Sequence, residues 1–417
     1  MFDSRTATRS LIMKHDFYIT YADLPLSRAP RAWVEVDAAA IRHNYRTVAA
    51  AIAEKRKECR IIAVIKGDAY GHGITECTRI FLSEGCRAFA LANVEEALCT
   101  KRVCDEMNIR ADILILGATE PALIGEVGHH DLIQTIPSFD YAKKLSRAAT
   151  DSGVTVRAHI KLDTGMNRLG FGTFNEDQKI VTVAQVAQIS RMEGIVIDGI
   201  FSHFAVADET SEHAKKRTDL QSIRFFDTLD RIRIEGVDPR VVHLCNSPGA
   251  FTRPAKDLGD AVRIGISLFG FGPAPGVDLG LLPTFKLCAK IARISRLTPG
   301  EELGYGGEYK VEKEITAATV GIGYADGVFR HAAGHTVSVY SPEGEYKGPA
   351  TVIGRVCMDM CMLDLGKTDA AEGDTVVFYG DEHVTCLDFA LHCNTIVHEC
   401  LSLVSGRVPR IVVNDEE

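Results

Sequence analysis

No C-x-x-C pair occurs anywhere in this 417-residue chain, although it contains twelve cysteines. Cys357 and Cys361 stand four apart, and Cys386, Cys393 and Cys400 seven apart, so no second ligand pair sits at finger spacing and no metal is expected. Reduced thiols in a cytoplasmic protein are the expectation instead. Basic residues are also not in excess: the net charge of −9 argues against the positive footprint of a nucleic-acid binder. No apolar run reaches the ~18 residues of a membrane span. Residues 1–28 have no hydrophobic h-region, so residues 1–29 read as an N-terminal extension rather than a signal peptide. Internal repeats and low-complexity stretches are missing too.

What is present is ordinary globular composition, 46% apolar and 25% charged, over a length that exceeds the ~250–300 residues of a single core. Two domains are therefore expected. From Ala32 to about Phe271, short β-rich runs alternate with amphipathic helical patterns. The runs are IIAVI (61–65), AFALA (88–92), DILIL (112–116), LIQTI (132–136), VRAHIKL (156–162), IDGIFSH (197–203), VVHLCN (241–246) and VRIGISLF (262–269). Ahead of them, Ile41, Tyr45, Val48 and Ile52 mark the apolar face of a helix that Asp37 can cap. Eight such strands in roughly 250 residues fit a (β/α)8 barrel. An open doubly wound sheet uses the same alternation, and the strand count favours the barrel.

After Pro283 the pattern changes to strands separated by PG, GG, SPEG and GD turn signals, with one helical stretch, LDFALHC, at 387–393. The expected organisation is an α/β barrel over 30–283 followed by a mainly β domain over 284–417.

Active sites of such barrels lie at the carboxyl ends of the strands. The first barrel strand ends at Lys66, followed by a loop with three glycines. The fifth runs into Lys161, Asp163 and Arg168, the sixth ends at His203, the seventh at Asn246 and Ser247, and the eighth contains Arg263 and Gly265. Taken singly, Lys66 reads as a solvated strand end, His203 as a structural histidine, Asn246-Ser247 as a turn, and Arg263 as the partner of a carboxylate such as Asp260. Their clustering at one end of several strands favours a shared site. The loops after strands seven and eight commonly bind phosphate, and Ser247, Gly265 and Ile266 are placed for that. A lysine at the rim could then form an imine, which suggests pyridoxal phosphate.

The stretches AVIKGDAYGHG (63–73), IKLDTGMNRLGF (160–171), SHFAVAD (202–208), NSPGA (246–250), VRIGISLFGFGP (262–273), GYGGEY (304–309), IGYADGV (322–328) and RVCMDMCMLDLG (355–366) resemble the alanine racemase family, in its order and spacing. The resemblance implies a pyridoxal phosphate barrel, a β domain, a homodimer with shared active sites, and interconversion of L- and D-alanine for peptidoglycan. By motif, Lys66 would carry the cofactor and act as base on one face of a small amino acid substrate, with Tyr305 of the partner subunit as base on the other. Tyr70, Asn246, Ser247, Gly265, Ile266 and Tyr324 would join the cofactor-binding set, largely at the phosphate. Arg168 would serve cofactor and substrate carboxylate, and His203 and Arg263 would lie along the ring. Lys161 matches a lysine carbamylated in some members. Met358 and Asp359 would face the substrate.

One position departs from the family pattern. TIVHE (395–399) places His398 where tyrosine is usual, at the substrate pocket, which bears on alanine against serine. The rival readings are a serine or broad-specificity racemase, a fold-related decarboxylase and a non-enzymatic cofactor carrier. Arg263, in place of an acidic group, speaks against the decarboxylase, and GYGGEY with CMDMC against the carrier.

Overall fold

The computed structural model describes residues 30–415; the expected extension over residues 1–29 lies outside them. The chain divides into two compact units. Ala38–Thr284 forms one, and β1 (Ala32–Asp37) joins Phe285–Val413 in the other.

In the first unit, α1 (Ala38–Lys55) precedes β2 (Arg60–Val64), α2 (Ile74–Ser83), β3 (Ala88–Leu91), α3 (Val94–Glu106), β4 (Asp112–Ile115) and α4 (Ile124–His129). Then follow β5 (Ile133–Ile136), α5 (Phe139–Asp151), β6 (Val156–Asp163), the two-residue β7 (Phe171–Gly172) and α6 (Glu176–Ile189). The unit ends with β8 (Ile195–Phe201), α7 (Glu212–Ile234), β9 (Val241–His243), α8 (Ser247–Thr252) and β10 (Ala261–Ile264). The parallel strands run in the order β10-β2-β3-β4-β5-β6-β8-β9. Hydrogen bonds from Asp260 N to Val242 O (2.7 Å) and Arg263 N to Cys245 O (3.0 Å) join the two end strands, so the sheet closes as a barrel.

Chemistry of the sequence explains these elements. β3 and β5 are buried at every position and β2 at all but its first, as expected of parallel strands covered on both faces. Ile62, Val64, Ala90, Leu114 and Ile133 meet inside, each large side chain contributing about 1.5–3 kcal/mol on burial. Asn93, Ser138, Asn175 and Ser211 cap α3, α5, α6 and α7 by accepting a backbone N–H of the first turn. The last strand has no helix of its own after it. Instead α1 packs there, its buried Asn44 bonding the backbone of Leu282 at 2.7 and 2.8 Å and Leu268 O at 3.4 Å.

The second unit is an antiparallel sheet built on β11 (Phe285–Leu297), with β12 (Glu302–Leu303) and β13 (Tyr309–Lys310) forming a small hairpin. β14 (Ile315–Val320), β15 (Thr336–Tyr340), β16 (Tyr346–Ile353), β17 (Cys361–Asp364) and β18 (Thr375–Tyr379) complete a ring, because β11 pairs with β18 through its first half and with β14 through its second. A register shift between Ile291 and Arg293 lets one strand serve both neighbours. Two short helices, α9 (Cys386–His392) and α10 (Val397–Ser402), precede β19 (Arg410–Val413).

β1, which the sequence reading includes in the barrel span, pairs instead with β11 and β19 of this sheet. Its Ala32, Val34 and Val36 are buried while the residues between are not, the two-residue period of a sheet with one covered face.

Candidate active site at the barrel rim

β2 ends one residue before Ile65, and Lys66 opens a turn that an L-amino-acid chain rarely makes. Gly67 (φ 65°), Asp68 (53°), Ala69 (53°) and Tyr70 (54°) are consecutive left-handed residues, and Gly71 (80°) and Gly73 (95°) follow. Each non-glycine residue in that region costs about 1–2 kcal/mol. Hydrogen bonds offset the cost. Glu96, from the first turn of α3, accepts Gly67 N (2.7 Å), Asp68 N (3.2 Å) and Ala92 N (2.9 Å). Asp68 Oδ1 accepts Ile74 N at 2.8 Å, and His72 Nδ1 donates to the carbonyls of Ala69 (3.0 Å) and Tyr70 (3.1 Å). The glycines therefore let the chain wind left-handed and turn Tyr70 back toward the barrel.

This turn presents an amine whose titration is shifted. Partial burial and the Arg168 guanidinium push the Lys66 amine below its ordinary value, and Glu96 opposes them. A lowered amine is more often neutral and hence nucleophilic. Lys161, in β6, is more extreme. Its Nζ stands over the Phe201 ring at 4.5 Å, and it has no ion pair among the described residues. Burial, with Arg263 and Arg168 adding, pushes it well below the lysine range. Arg168 itself is exposed on the loop after β6, which Asp163 Oδ1 shapes by accepting the N–H groups of Gly165, Met166 and Asn167 at 3.1 Å each.

Arg263 is buried in β10 without a carboxylate. Its guanidinium donates to the carbonyls of Ser202 (2.6 Å), His243 (2.9 Å) and Leu244 (2.9 Å), and to His203 Nδ1 (3.4 Å). Asp260, the partner a structural ion pair would use, accepts Val242 N (2.9 Å) and approaches Arg56 (3.7 Å). Burial, with Arg168 adding, pushes Arg263 down to about 10, which still leaves it charged at neutral pH. His203 is pushed well below the histidine range by burial, Arg263 and Lys161, so it is neutral. Asn246 Nδ2 lies 3.5 Å from its other nitrogen. Next door, Ser247 Oγ accepts Gly265 N at 3.0 Å, and Ile266 starts the short turn Ile266–Phe269. A Cβ on residue 265 would meet Tyr70 Oη at 2.4 Å. The barrel thus brings Lys66, Tyr70, Arg168, His203, Asn246, Ser247, Arg263, Gly265 and Ile266 to the carboxyl ends of its strands.

The remaining expected residues belong to the other unit. Tyr305 stands on the turn Tyr305–Gly307 between β12 and β13, 69% exposed, where an Arg355–Glu308 ion pair braces the neighbouring chain. Tyr324 N donates to Cys357 O and Ala325 N to Met358 O, both at 3.0 Å, which knits the 322–328 and 355–366 motifs together. Tyr324 and Met358 are exposed there, and Asp359 bonds Arg407 at 2.7 Å. His398 is exposed on α10.

Two family models cover almost all of this architecture, "alanine racemase, N-terminal domain" over residues 36–273 and "alanine racemase, C-terminal domain" over residues 284–412. The chain belongs to the alanine racemase family. Alanine racemase 1 of Clostridium acetobutylicum is 36% identical over 92% of this chain and 96% of its own, and the alanine racemase of Desulfosudis oleivorans 34% over 92% and 97%. Among solved structures, alanine racemase from Clostridium difficile 630 matches with TM-score 0.83 at 31% identity, covering 94% of this chain and 98% of its own. The Bacillus anthracis alanine racemase with bound L-Ala-P matches with TM-score 0.81 at 31% identity, covering 94% and 96%.

This is a family of pyridoxal phosphate-dependent isomerases. The residues fit that cofactor: a lowered lysine amine for its aldehyde, a glycine at 265 whose missing side chain lets the Tyr70 hydroxyl approach the backbone beside Ser247, and a buried cation at Arg263. Sequence reasoning missed Glu96 and His243, and weighed His159 only as a metal ligand. The histidines sit in apolar strands, VVH and VRAHIKL, and flag themselves as Arg263 does, since a buried polar group must find a partner.

Proposed function

We propose that this protein interconverts L-alanine and D-alanine as a homodimer whose sites combine the barrel of one subunit with the β unit of the other. Arg263 is the observation that carries this reading: a buried group, still protonated at neutral pH, where other pyridoxal phosphate chemistries use a carboxylate. When bound, pyridoxal phosphate supplies a conjugated sink for the electrons left when the α-proton departs. Arg263, unable to release a proton to the ring, keeps that sink weak, which favours return of a proton to the α-carbon over competing outcomes.

Lys66 Nζ anchors the cofactor and exchanges the proton on one face. On the opposite face the proton belongs to Oη of Tyr305 of the partner subunit. A tyrosine is ordinarily a poor base near neutral pH, so it needs positive charge nearby, which Arg168 and Arg263, the latter with neutral His203 between it and the tyrosine, would supply. Arg168 and the backbone N–H of the partner subunit's Met358 hold the substrate carboxylate, with the partner subunit's Asp359 alongside, and His398 closes the small pocket. Tyr70, Asn246, Ser247, Gly265, Ile266 and Tyr324 hold the cofactor, chiefly its phosphate. Lys161, neutral and unpaired, can add carbon dioxide, forming an N–C bond and releasing one proton, and the resulting anion would steady Arg168. Exposure of Tyr305, Met358 and Met360 in one chain supports a surface completed by a second copy. Twelve free thiols suit a cytoplasmic setting, and the role that goes with membership of this family is supply of D-alanine for peptidoglycan.

The test is proton NMR of L-alanine and L-serine in D₂O with the protein and added cofactor, followed by chiral analysis. Loss of alanine's α-proton signal with formation of D-alanine supports the proposal. Much faster exchange of serine would reassign the substrate through His398, and exchange of neither would sink the two-base reading for these substrates.

A further inference from the structure

The contacts of Arg263 continue into the barrel beyond its carbonyl acceptors. Nη1 lies 2.9 Å from His243 Nδ1, and His243 Nε2 lies 2.9 Å from His159 Nδ1. His159 Nε2 in turn lies 3.8 Å from Asp198 Oδ2 and has no closer partner. Both imidazoles are buried. A guanidinium has only donors, so the proton positions follow by elimination. Nδ1 of His243 must accept, which leaves its proton on Nε2 to be donated to His159 Nδ1. His159 then carries its proton on Nε2, aimed at the carboxylate.

We propose that His243 and His159 are positioning residues for Arg263, forming with Asp198 a one-directional line that fixes the guanidinium plane and steadies its charge. The proposal rests on the reading above, in which Arg263 faces the cofactor ring. Two further observations support it. Asp198 is clamped by Arg157 Nη2 (2.8 Å) and by Arg240 Nε (2.8 Å) and Nη2 (2.9 Å), so the far end of the line is a fixed negative charge. Gly199, the cross-strand neighbour of His159 between β6 and β8, is needed for space: a Cβ there would stand 2.5 Å from His159 Nε2. Its backbone is not left-handed, so conformation does not demand glycine at this position. Histidines placed where apolar side chains would pack more readily, in a notch left by a glycine, form a built feature. Burial keeps His243 well below the usual histidine range, with Arg263 and His159 adding, and lowers His159 despite Asp198. Both rings are thus neutral, as the line requires.

Two measurements test this. In ¹⁵N-histidine-labelled apoprotein at neutral pH, long-range ¹H–¹⁵N spectra should show both rings neutral with the proton on Nε2. A charged ring, or a proton on Nδ1 of either, overturns the proposal whatever the cofactor does. The second measurement uses Gly199→Ala and His159→Phe, taken forward once circular dichroism shows them folded and loaded with pyridoxal phosphate. In both, the Arg263 guanidinium ¹⁵N signal should shift. The side conversion of alanine and cofactor into pyruvate and aminated cofactor, counted per racemisation, should rise by roughly threefold or more. Reduced melting temperature with that ratio and that signal unchanged would make the histidines structural and overturn the inference. If neither variant folds, the tautomers of the unaltered protein decide. Failure of the unaltered protein to bind cofactor or racemise alanine would instead sink the functional reading, and the tautomer result would still decide the line.

Discussion

Glu96 Oε1 accepts the backbone N–H of Gly67 at 2.7 Å, one residue beyond the amine proposed to anchor the cofactor. A carboxylate from the neighbouring helix thereby holds the entry to a left-handed turn that the chain would otherwise avoid. Glu96→Ala is expected to lower apoprotein stability in urea by roughly 1.5–3 kcal/mol, the range for hydrogen bonds to a charged group, and to loosen cofactor retention. Glu96→Gln, which keeps one accepting oxygen, should recover part of both. An unchanged urea midpoint with unchanged retention would mean that Asp68 and His72 suffice to hold the turn.

Gly265→Ala should act by crowding. The added methyl would stand 2.4 Å from Tyr70 Oη, with the nearby ring carbons at 3.1 and 3.5 Å, so the tyrosine must move. Overpacking of this kind costs about 1–3 kcal/mol. Cofactor titration should show weaker binding by about tenfold or more, since about 1.4 kcal/mol is one decade. Binding as tight as in the unaltered protein would remove Tyr70 from the phosphate site.

Lys161 makes a pH-dependent contribution whose sign can be worked out. Burial, Arg263 and Arg168 hold its amine well below its ordinary value, near ~10.4. Between those two values the unfolded chain binds more protons than the native protein, so this contribution makes stability rise with pH. Buried thiols such as Cys245, pushed up to about 12 by burial, titrate in the opposite sense. The quantity to plot is therefore unaltered protein minus Lys161→Met, in bicarbonate-free buffer, and it should climb as pH rises toward ~10.4. A flat difference would show that Lys161 is not buried as a neutral amine. Addition of ¹³C-bicarbonate should then produce a carbamate resonance that Lys161→Met lacks.

Shared active sites can be tested by mixing inactive variants. Lys66→Ala and Tyr305→Phe each remove one proposed base, and each alone should lose ~10²–10⁴-fold of racemisation. If the two bases at a site come from different subunits, a mixed dimer carries one doubly altered site and one intact site. Half of randomly re-formed dimers are mixed, so activity should return to about one quarter of the unaltered value. No recovery after verified subunit exchange would place both bases in the same subunit.

Much of the barrel could be read from the chain because its strands carry a local signal. A run such as IIAVI is apolar on both faces, and a parallel strand covered on both sides requires that. Polar residues that interrupt or end those runs, Lys66 and Arg263 among them, mark the rim for the same reason. β1 was harder to place. AWVEVD shows the alternation of a sheet covered on one face, but only pairing with a strand some 250 residues away assigns it to the second unit. Neither was the left-handed turn legible, because Ala69 and Tyr70 have no local preference for it. Three glycines signalled a tight loop, and Glu96, 29 positions beyond Gly67, decides its hand.

The order of strands and helices, the change of pattern after Pro283 and the chemical types at the rim follow from the sequence by itself, because hydrophobic period and side-chain chemistry are local properties. Tertiary structure alone decided which groups meet. Arg263 touches three carbonyls and two imidazoles rather than Asp260, and His159 reaches His243 across 84 positions of chain into a space kept by Gly199. Those contacts depend on barrel closure and strand register, which bring distant residues within hydrogen-bond reach, and no local pattern encodes that distance.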